Sequence, residues 1–296
     1  MDTVKELFLA TRPWSFTATF VPIAVTAAVV KTSLFSPLFF RALFMGLFVH
    51  SGANLTNTYY DYVHGIDSKL HNHDPTLVEK KVSPKVLYWF SIVCYVLGVI
   101  LMFPSLISQS GPHQKDMITI FSIGIVLSFF YTADPVGLKY RAMGDITIFL
   151  CFGPLLMQCT SLMLTGDVHY DLFYYTIPIG LLTEAILHAN NGRDIKNDAS
   201  NGIITLATLL GFELSYYFYA ALFVLSYTSV LIISYYYHAG CLLSLLTIPL
   251  AIDLVKKFKA QNMLNLTEET AKMHLPFGIG LLIGILSTSQ GLSSFF

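Results

Sequence analysis

Runs of apolar residues separated by short polar stretches recur along almost the whole chain. A helix needs about 20 such residues to cross a hydrocarbon core of ~30 Å. Nine runs approach that length: 13–31, 36–58, 85–104, 117–133, 143–165, 171–189, 212–235, 238–256 and 274–294. They are too long and too continuous for the alternating strands of ~10 residues that build a membrane barrel. The pattern predicts an all-α polytopic membrane protein, a single domain over residues 1–296, with no room between the helices for a soluble domain of ordinary size. The first run continues from Pro13 without a small-residue cleavage site, so it is expected to stay in the membrane rather than leave as a signal peptide.

Composition agrees with the pattern. Of 296 residues 54% are apolar and 12% charged, about half the ~25% charge of a soluble domain, and the mean hydropathy is +0.63. A net charge of −1 with no basic run gives no attraction to nucleic acid. Cys94, Cys151, Cys159 and Cys241 all lie in apolar stretches and form no CxxC pair, which argues against a disulfide framework or a thiolate metal site.

Placing the charges along the chain gives an orientation. The loops after the second, fourth, sixth and eighth runs hold most of the polar chemistry and fall on the same side as the N-terminus. That side carries fourteen of the seventeen Lys and Arg residues, with only Lys31, Arg41 and Lys115 opposite. Such a bias places the N-terminus and the polar loops in the cytosol.

Two polar sequences abut apolar runs. One extends from Asn54 through Asn57 and Asp61 to Asp67; the other carries Glu184 and His188, then Asn190, Arg193, Asp194 and Asp198. Residues four apart share a helix face, so Asn57 points with Asp61, and Asn190 with Asp194 and Asp198. Asp67 needs a turn near Gly65 to rejoin them. The repeated Asn-x-x-x-Asp unit offers four carboxylates to one pocket, and carboxylates at membrane depth mark function by default. Asp and Asn oxygens without cysteine favour Mg2+, which binds through one or two carboxylates and completes its shell with water and phosphate. Asp61, Asp67, Asp194 and Asp198 are therefore the candidate catalytic and metal-binding residues, gripping a diphosphate through two or more ions. Arg12, Lys139 and Arg193, on the same face, are candidates to counter phosphate charge, although positive-inside topology alone would also put them there. Asn57, Asn190, Tyr131, Glu184 and His188 complete the candidate substrate-binding set; the last two, one turn apart within the sixth run, either line the cavity or bond to neighbouring helices.

With these residues in view the chain resembles the UbiA superfamily of intramembrane prenyltransferases. The resemblance covers nearly its whole length, and the Arg12-Pro13-Trp14-Ser15-Phe16 opening and both Asp-rich runs look most like the animal, menaquinone-4-forming branch. Asp61 and Asp67 are six apart as in that branch, whereas many bacterial relatives space them four apart. The N-terminus is shorter than in the animal relatives. The resemblance implies nine helices around a central cavity with a cytosolic cap. It implies Mg2+ on the four aspartates beside Asn57, and diphosphate contacts from Arg12, Lys139 and Arg193. It further implies geranylgeranyl diphosphate as donor, a menadione-derived naphthoquinol as acceptor, menaquinone-4 (vitamin K2) as product, HMG-CoA reductase as a protein partner, and residence in the endoplasmic reticulum or Golgi membrane. Other readings stay open: a different acceptor such as 1,4-dihydroxy-2-naphthoate, 4-hydroxybenzoate or homogentisate, a non-catalytic sterol- or quinone-responsive regulator, or a transporter. A transport path should continue across the bilayer, whereas the four aspartates gather at one face with cations beside them.

Overall fold

A computed structural model describes residues 3–66 and 75–288. Among these residues the chain is helical, with no β-strand and one isolated bridge between Arg141 and Ile204. The helices are α1 (Thr3–Ala10), α2 (Thr17–Val29), α3 (Pro37–Val63), α4 (Pro75–Val78), α5 (Pro84–Ser108), α6 (Pro112–Phe130), α7 (Gly144–Leu150), α8 (Leu156–Thr165), α9 (Leu172–Ser200), α10 (Leu206–Tyr236), α11 (Ile248–Lys259) and α12 (Leu266–Thr288). A π-helical turn at Cys151–Leu155 joins α7 to α8, where Pro154 lacks an amide donor and Gly153 leaves helical geometry.

Helix boundaries follow local chemistry. Ser36 and Ser83 precede Pro37 and Pro84, and their hydroxyls accept the amides of Phe39 (3.1 Å) and Val86 (3.3 Å). This is the N-cap followed by N1 proline that starts a helix. Thr205 and Thr208 exchange reciprocal bonds at the start of α10, and α8 ends at Gly166 with φ 86°.

As far as the described residues extend, to 288 in the last run, each of the nine apolar runs falls largely on helix, but among these residues the expectation of nine spans is met at seven. Pro37–Val63, Pro84–Ser108, Gly144–Thr165, Leu172–Ser200, Leu206–Tyr236, Ala239–Lys259 and Leu266–Ser287 are long and apolar enough to cross a membrane. The 13 residues of α2 extend only about 20 Å, and α6 spends its first five positions on Pro112, His113, Gln114, Lys115 and Asp116.

The long helix α9 packs against α10, α12, α7 and α2, burying Tyr175, Ile179, Leu182 and Ala185 with Tyr219, Phe258 and Phe277. A second core joins Ile23, Met45, Met102, Met117 and Leu162 from α2, α3, α5, α6 and α8. Gly280 and Gly284 bring α12 against the backbone of residues 239–247, where any Cβ would collide with Ser244 or Cys241. Trp89, Phe103, Val224 and Leu231 turn outward with half or more of their surface exposed, while Thr19, Thr26, His188 and Ser215 are fully buried. Apolar outside and hydrogen-bonding groups inside is the arrangement a bilayer demands. The backbone also ties two loops together: the Ile204 amide donates to the Tyr140 carbonyl (3.3 Å) and the Ala142 amide to the Ile204 carbonyl. This sets the loop after α6 beside the end of α9.

Candidate functional site

At its C-terminal half α3 carries His50, Asn54, Asn57 and Asp61 at spacings of four, three and four, which aligns them on one face. His50, Asn57 and Asp61 are buried. The loop after α6 closes on itself through the Lys139 amide donating to the Tyr131 carbonyl (2.7 Å), and this aims Lys139 at α3. Its Nζ donates to Asp61 Oδ2 at 2.6 Å, to Asp61 Oδ1 at 2.9 Å and to Asn57 Oδ1 at 3.1 Å. The Tyr140 hydroxyl donates to the same Asp61 Oδ1 at 2.9 Å. Burial, and then the negative charge of Asp61, push the Tyr140 phenol far above its ordinary pKa, so it stays a protonated donor.

The second motif lies on the last turns of α9. Arg193 reaches back along its own helix: Nε donates to Asp194 Oδ1 (2.8 Å), and Nη2 to Asp194 Oδ2 (2.7 Å) and Asn190 Oδ1 (2.9 Å). This fork on one carboxylate is the geometry that guanidinium favours. Asp198 follows one turn later and is 5% exposed. Asn57, Asp61, Lys139, Asn190, Arg193, Asp194 and Asp198 all line one cavity of about 290 Å3, together with Arg12. Arg12 follows α1 in the left-handed conformation (φ 55°), and its carbonyl accepts the Ser15 hydroxyl at 2.7 Å. Asp67 lies outside the described residues.

The donor set suits a hard cation. Around the cavity stand the carboxylates of Asp61, Asp194 and Asp198 and the amide oxygens of Asn57 and Asn190, with no sulfur or imidazole among the described lining residues, which matches Mg2+. Electrostatics point the same way. The described lining has five acidic residues (Glu6, Asp61, Asp194, Asp198, Glu268) against four basic ones (Arg12, Lys81, Lys139, Arg193). Among these described residues a polyanion meets a slight acidic excess, which a bound cation would offset.

Two further cavities adjoin the polar one in series. A second cavity of about 110 Å3 shares Arg12, Asn57, Lys139 and Asn190 with the first. It shares His50, Asn54, Tyr131, Ile148 and Phe152 with a third, of about 150 Å3, whose other walls include Met45, Val49, Phe121, Ile125 and Leu156. The passage thus runs from charged to apolar lining. His50 marks the change. The Ser15 hydroxyl spends its proton on the Arg12 carbonyl, so His50 Nε2, at 3.2 Å, must be the donor to Ser15; Nδ1 then accepts from Thr19 (2.7 Å). With both nitrogens engaged, the ring is a neutral wall rather than a base.

Among the residues singled out in the sequence, Glu184 and His188 line none of these cavities; they face Asp145 of α7 and Ser215 of α10. Tyr140 and His50 are site residues the sequence motifs did not single out, and Asn54 opened the first motif without being assigned a role. His50 was within reach, standing on the same helical stripe as Asn54, Asn57 and Asp61. Tyr140 carried no signal beyond its place after Lys139.

The sequence profile of the UbiA prenyltransferase family matches residues 19–277. The chain is 38% identical over 286 residues to UbiA prenyltransferase domain-containing protein 1 of Xenopus tropicalis, covering 96% of this chain and 82% of that one. The apo structure of a UbiA homolog from Aeropyrum pernix K1 superimposes with a TM-score of 0.71 at 11% identity, over 91% of this chain and 97% of that one. A UbiA homolog from Archaeoglobus fulgidus bound to GPP and Mg2+ gives 0.58 at 14% identity, over 94% of this chain and 99% of the other.

Proposed function

The chain belongs to the UbiA prenyltransferase family, and from that premise we propose that it is the prenyltransferase that moves a geranylgeranyl group from its diphosphate onto a menadione-derived naphthoquinol, giving menaquinone-4. The observation that carries this reading is the series of adjoining cavities: a carboxylate- and cation-lined one that shares walls with a second, which in turn shares walls with an apolar third. An amphiphile with a diphosphate head and a polyisoprenoid tail has that polarity. The homolog whose structure holds GPP and Mg2+ binds a ligand of the same class.

In this reading Asp61, Asp194 and Asp198, with Asp67, hold Mg2+, which when bound supplies positive charge to the diphosphate oxygens. Arg12, Lys139 and Arg193 add charge from the protein side, and Asn57 and Asn190 orient the oxygens between them. Departure of the diphosphate takes the electron pair of the allylic C–O bond and leaves a carbocation. Phe152, Tyr131 and the apolar lower walls keep water from it. A π pair of the electron-rich quinol ring forms the new C–C bond, and the ring proton leaves to the diphosphate or a nearby carboxylate. No nucleophilic Ser or Cys takes part.

The reading extends to topology: α2 and α6 complete a set of nine helices around the cavity, and the loops after α3, α6 and α9 cap it on the cytosolic side of an endoplasmic reticulum or Golgi membrane. The fourteen-to-three distribution of Lys and Arg supports that orientation.

The test is an assay of detergent-purified protein with geranylgeranyl diphosphate, Mg2+ and menadiol, run beside 1,4-dihydroxy-2-naphthoate, 4-hydroxybenzoate and homogentisate. Mg2+-dependent formation of menaquinone-4 is expected. Turnover of an acidic acceptor in preference to menadiol would reassign the substrate, and no prenylated product with any acceptor would overturn the catalytic reading.

A further inference from the structure

Behind the passage, between α7, α9 and α10, lies a polar cluster that the prenyl-transfer chemistry leaves unused. One ligand atom each from Asp145, Glu184 and His188 lie within 4.8 Å of one another, and all three residues are buried. Their hydrogen bonds do not balance. His188 Nε2 stands 3.2 Å from the Ser215 carbonyl, which can only accept, so Nε2 carries the proton. The other nitrogen, Nδ1, stands 3.4 Å from Asp145 Oδ1, where it donates as an imidazolium or, with the ring neutral, offers its lone pair to a cation. Among the described residues both oxygens of Glu184 and the second oxygen of Asp145 are buried and accept from no backbone amide and no other side chain, so the two carboxyl groups have only each other, and Glu184 is 3% exposed. Phe218 and Phe258 close over the imidazole with ring centroids at 4.7 and 6.2 Å. Acceptors facing one another in a dry interior are costly unless positive charge sits among them.

We infer that Asp145, Glu184 and His188 form a second cation site, separate from the diphosphate cavity, which takes a divalent first-row transition ion such as Zn2+ or Mn2+. Ligands on bonds of about 2.1 Å in a tetrahedral shell stand roughly 3.4 Å apart, the separation of His188 Nδ1 and Asp145 Oδ1. A metal-binding histidine donates its other N–H to a carbonyl or carboxylate, as His188 does to Ser215. One imidazole with two carboxylates selects a transition ion over Mg2+, which keeps several waters and prefers all-oxygen sites. Two carboxylates with one divalent ion are neutral overall, which suits a site within the bilayer. The ion would clamp the start of α7 to the middle of α9 and to α10, behind the wall that carries Thr183, Leu187 and Asn190.

The experiment is elemental analysis of full-length protein purified in detergent without chelators, saturated with Mg2+ and then desalted. About one transition ion per chain is expected, as purified or after incubation with ZnCl2 or MnCl2. Glu184→Gln, which keeps the shape and supplies a donor, should lose it, while Asp194→Asn at the diphosphate cavity should keep it. If Glu184→Gln does not give a monodisperse protein, Co2+ loading of wild type and Asp194→Asn replaces it: both should show the intense visible bands of tetrahedral Co2+, abolished by Zn2+. No transition ion in wild type under either loading, absence of those bands, retention of the ion in Glu184→Gln, or its loss in Asp194→Asn alone would overturn the site, the cluster then being held by shared protons or the ion belonging to the diphosphate cavity.

Discussion

Asp61 takes three bonds at once, two from Lys139 and one from Tyr140, and each partner makes a different prediction. Removing either member of the buried Asp61–Lys139 pair leaves its partner uncompensated, at a cost of about 3 kcal/mol or more. Asp61→Asn and Lys139→Met should each lower prenyl transfer by roughly 100-fold or more, and the double variant should be far less impaired than the product of the two. A double-mutant cycle on kcat/KM checks this, and additive losses would show that the two side chains act apart. Tyr140→Phe removes one neutral donor, worth about 1 kcal/mol, so a fall of roughly fivefold is expected. Because burial and Asp61 both raise the Tyr140 phenol, it stays protonated through the alkaline range. Tyr140→Phe should therefore leave the alkaline limb of the pH–rate profile where it is, and a shifted limb would mean that the phenol does ionise. Asp61 and Lys139 were legible from the sequence because charge is rare in an apolar chain and conspicuous at run ends. Tyr140 was not, because one tyrosine among seventeen acquires its role only when the 131–139 loop closes against α3.

At the scale of the element, α9 serves two sites on two faces. Thr183, Leu187 and Asn190 line the passage, while Glu184 and His188, displaced around the same helix, face α7 and α10. Gly192 keeps the motif seated: a Cβ there would press into the Phe258 ring, and its neighbour Arg193 holds Asp194. Gly192→Leu should therefore cost about 1–3 kcal/mol through overpacking and lower activity as well, by moving the Arg193 fork. A fall in Tm in detergent checks the first part. An unchanged Tm would mean that Phe258 yields without strain. The helices themselves could be read from the chain, since apolar runs, serine caps and N1 prolines are all local. The π-helical turn at Cys151–Leu155, the break at Gly211 (φ 69°) inside α10 and the bridge from Arg141 to Ile204 could not. They arise where one element meets another. The facing of Glu184 and His188 belongs with them, because a four-residue spacing fixes which side chains align but not which neighbour they meet.

Across the whole molecule, the graded passage relates prenyl chain length to depth. Gly124 of α6 lines the apolar cavity, and a Cβ built there meets no atom within 4 Å, so a larger side chain fills space rather than displacing a wall. Gly124→Phe should leave the polar cavity and its ion pairs untouched. It takes volume from the end that receives the tail, and each CH2 no longer buried forfeits about 0.8 kcal/mol. A displaced isoprene unit thus loses several kcal/mol of binding, whereas a donor too short to reach Gly124 loses nothing. With the acceptor fixed, kcat/KM for geranylgeranyl diphosphate should fall by at least about tenfold relative to that for dimethylallyl or geranyl diphosphate. Competition between donors of different length in one reaction measures this ratio directly and cancels differences in the amount of folded protein. An equal loss for all lengths would place the tail elsewhere, along the lipid-facing surface, and leave the apolar cavity to the acceptor ring.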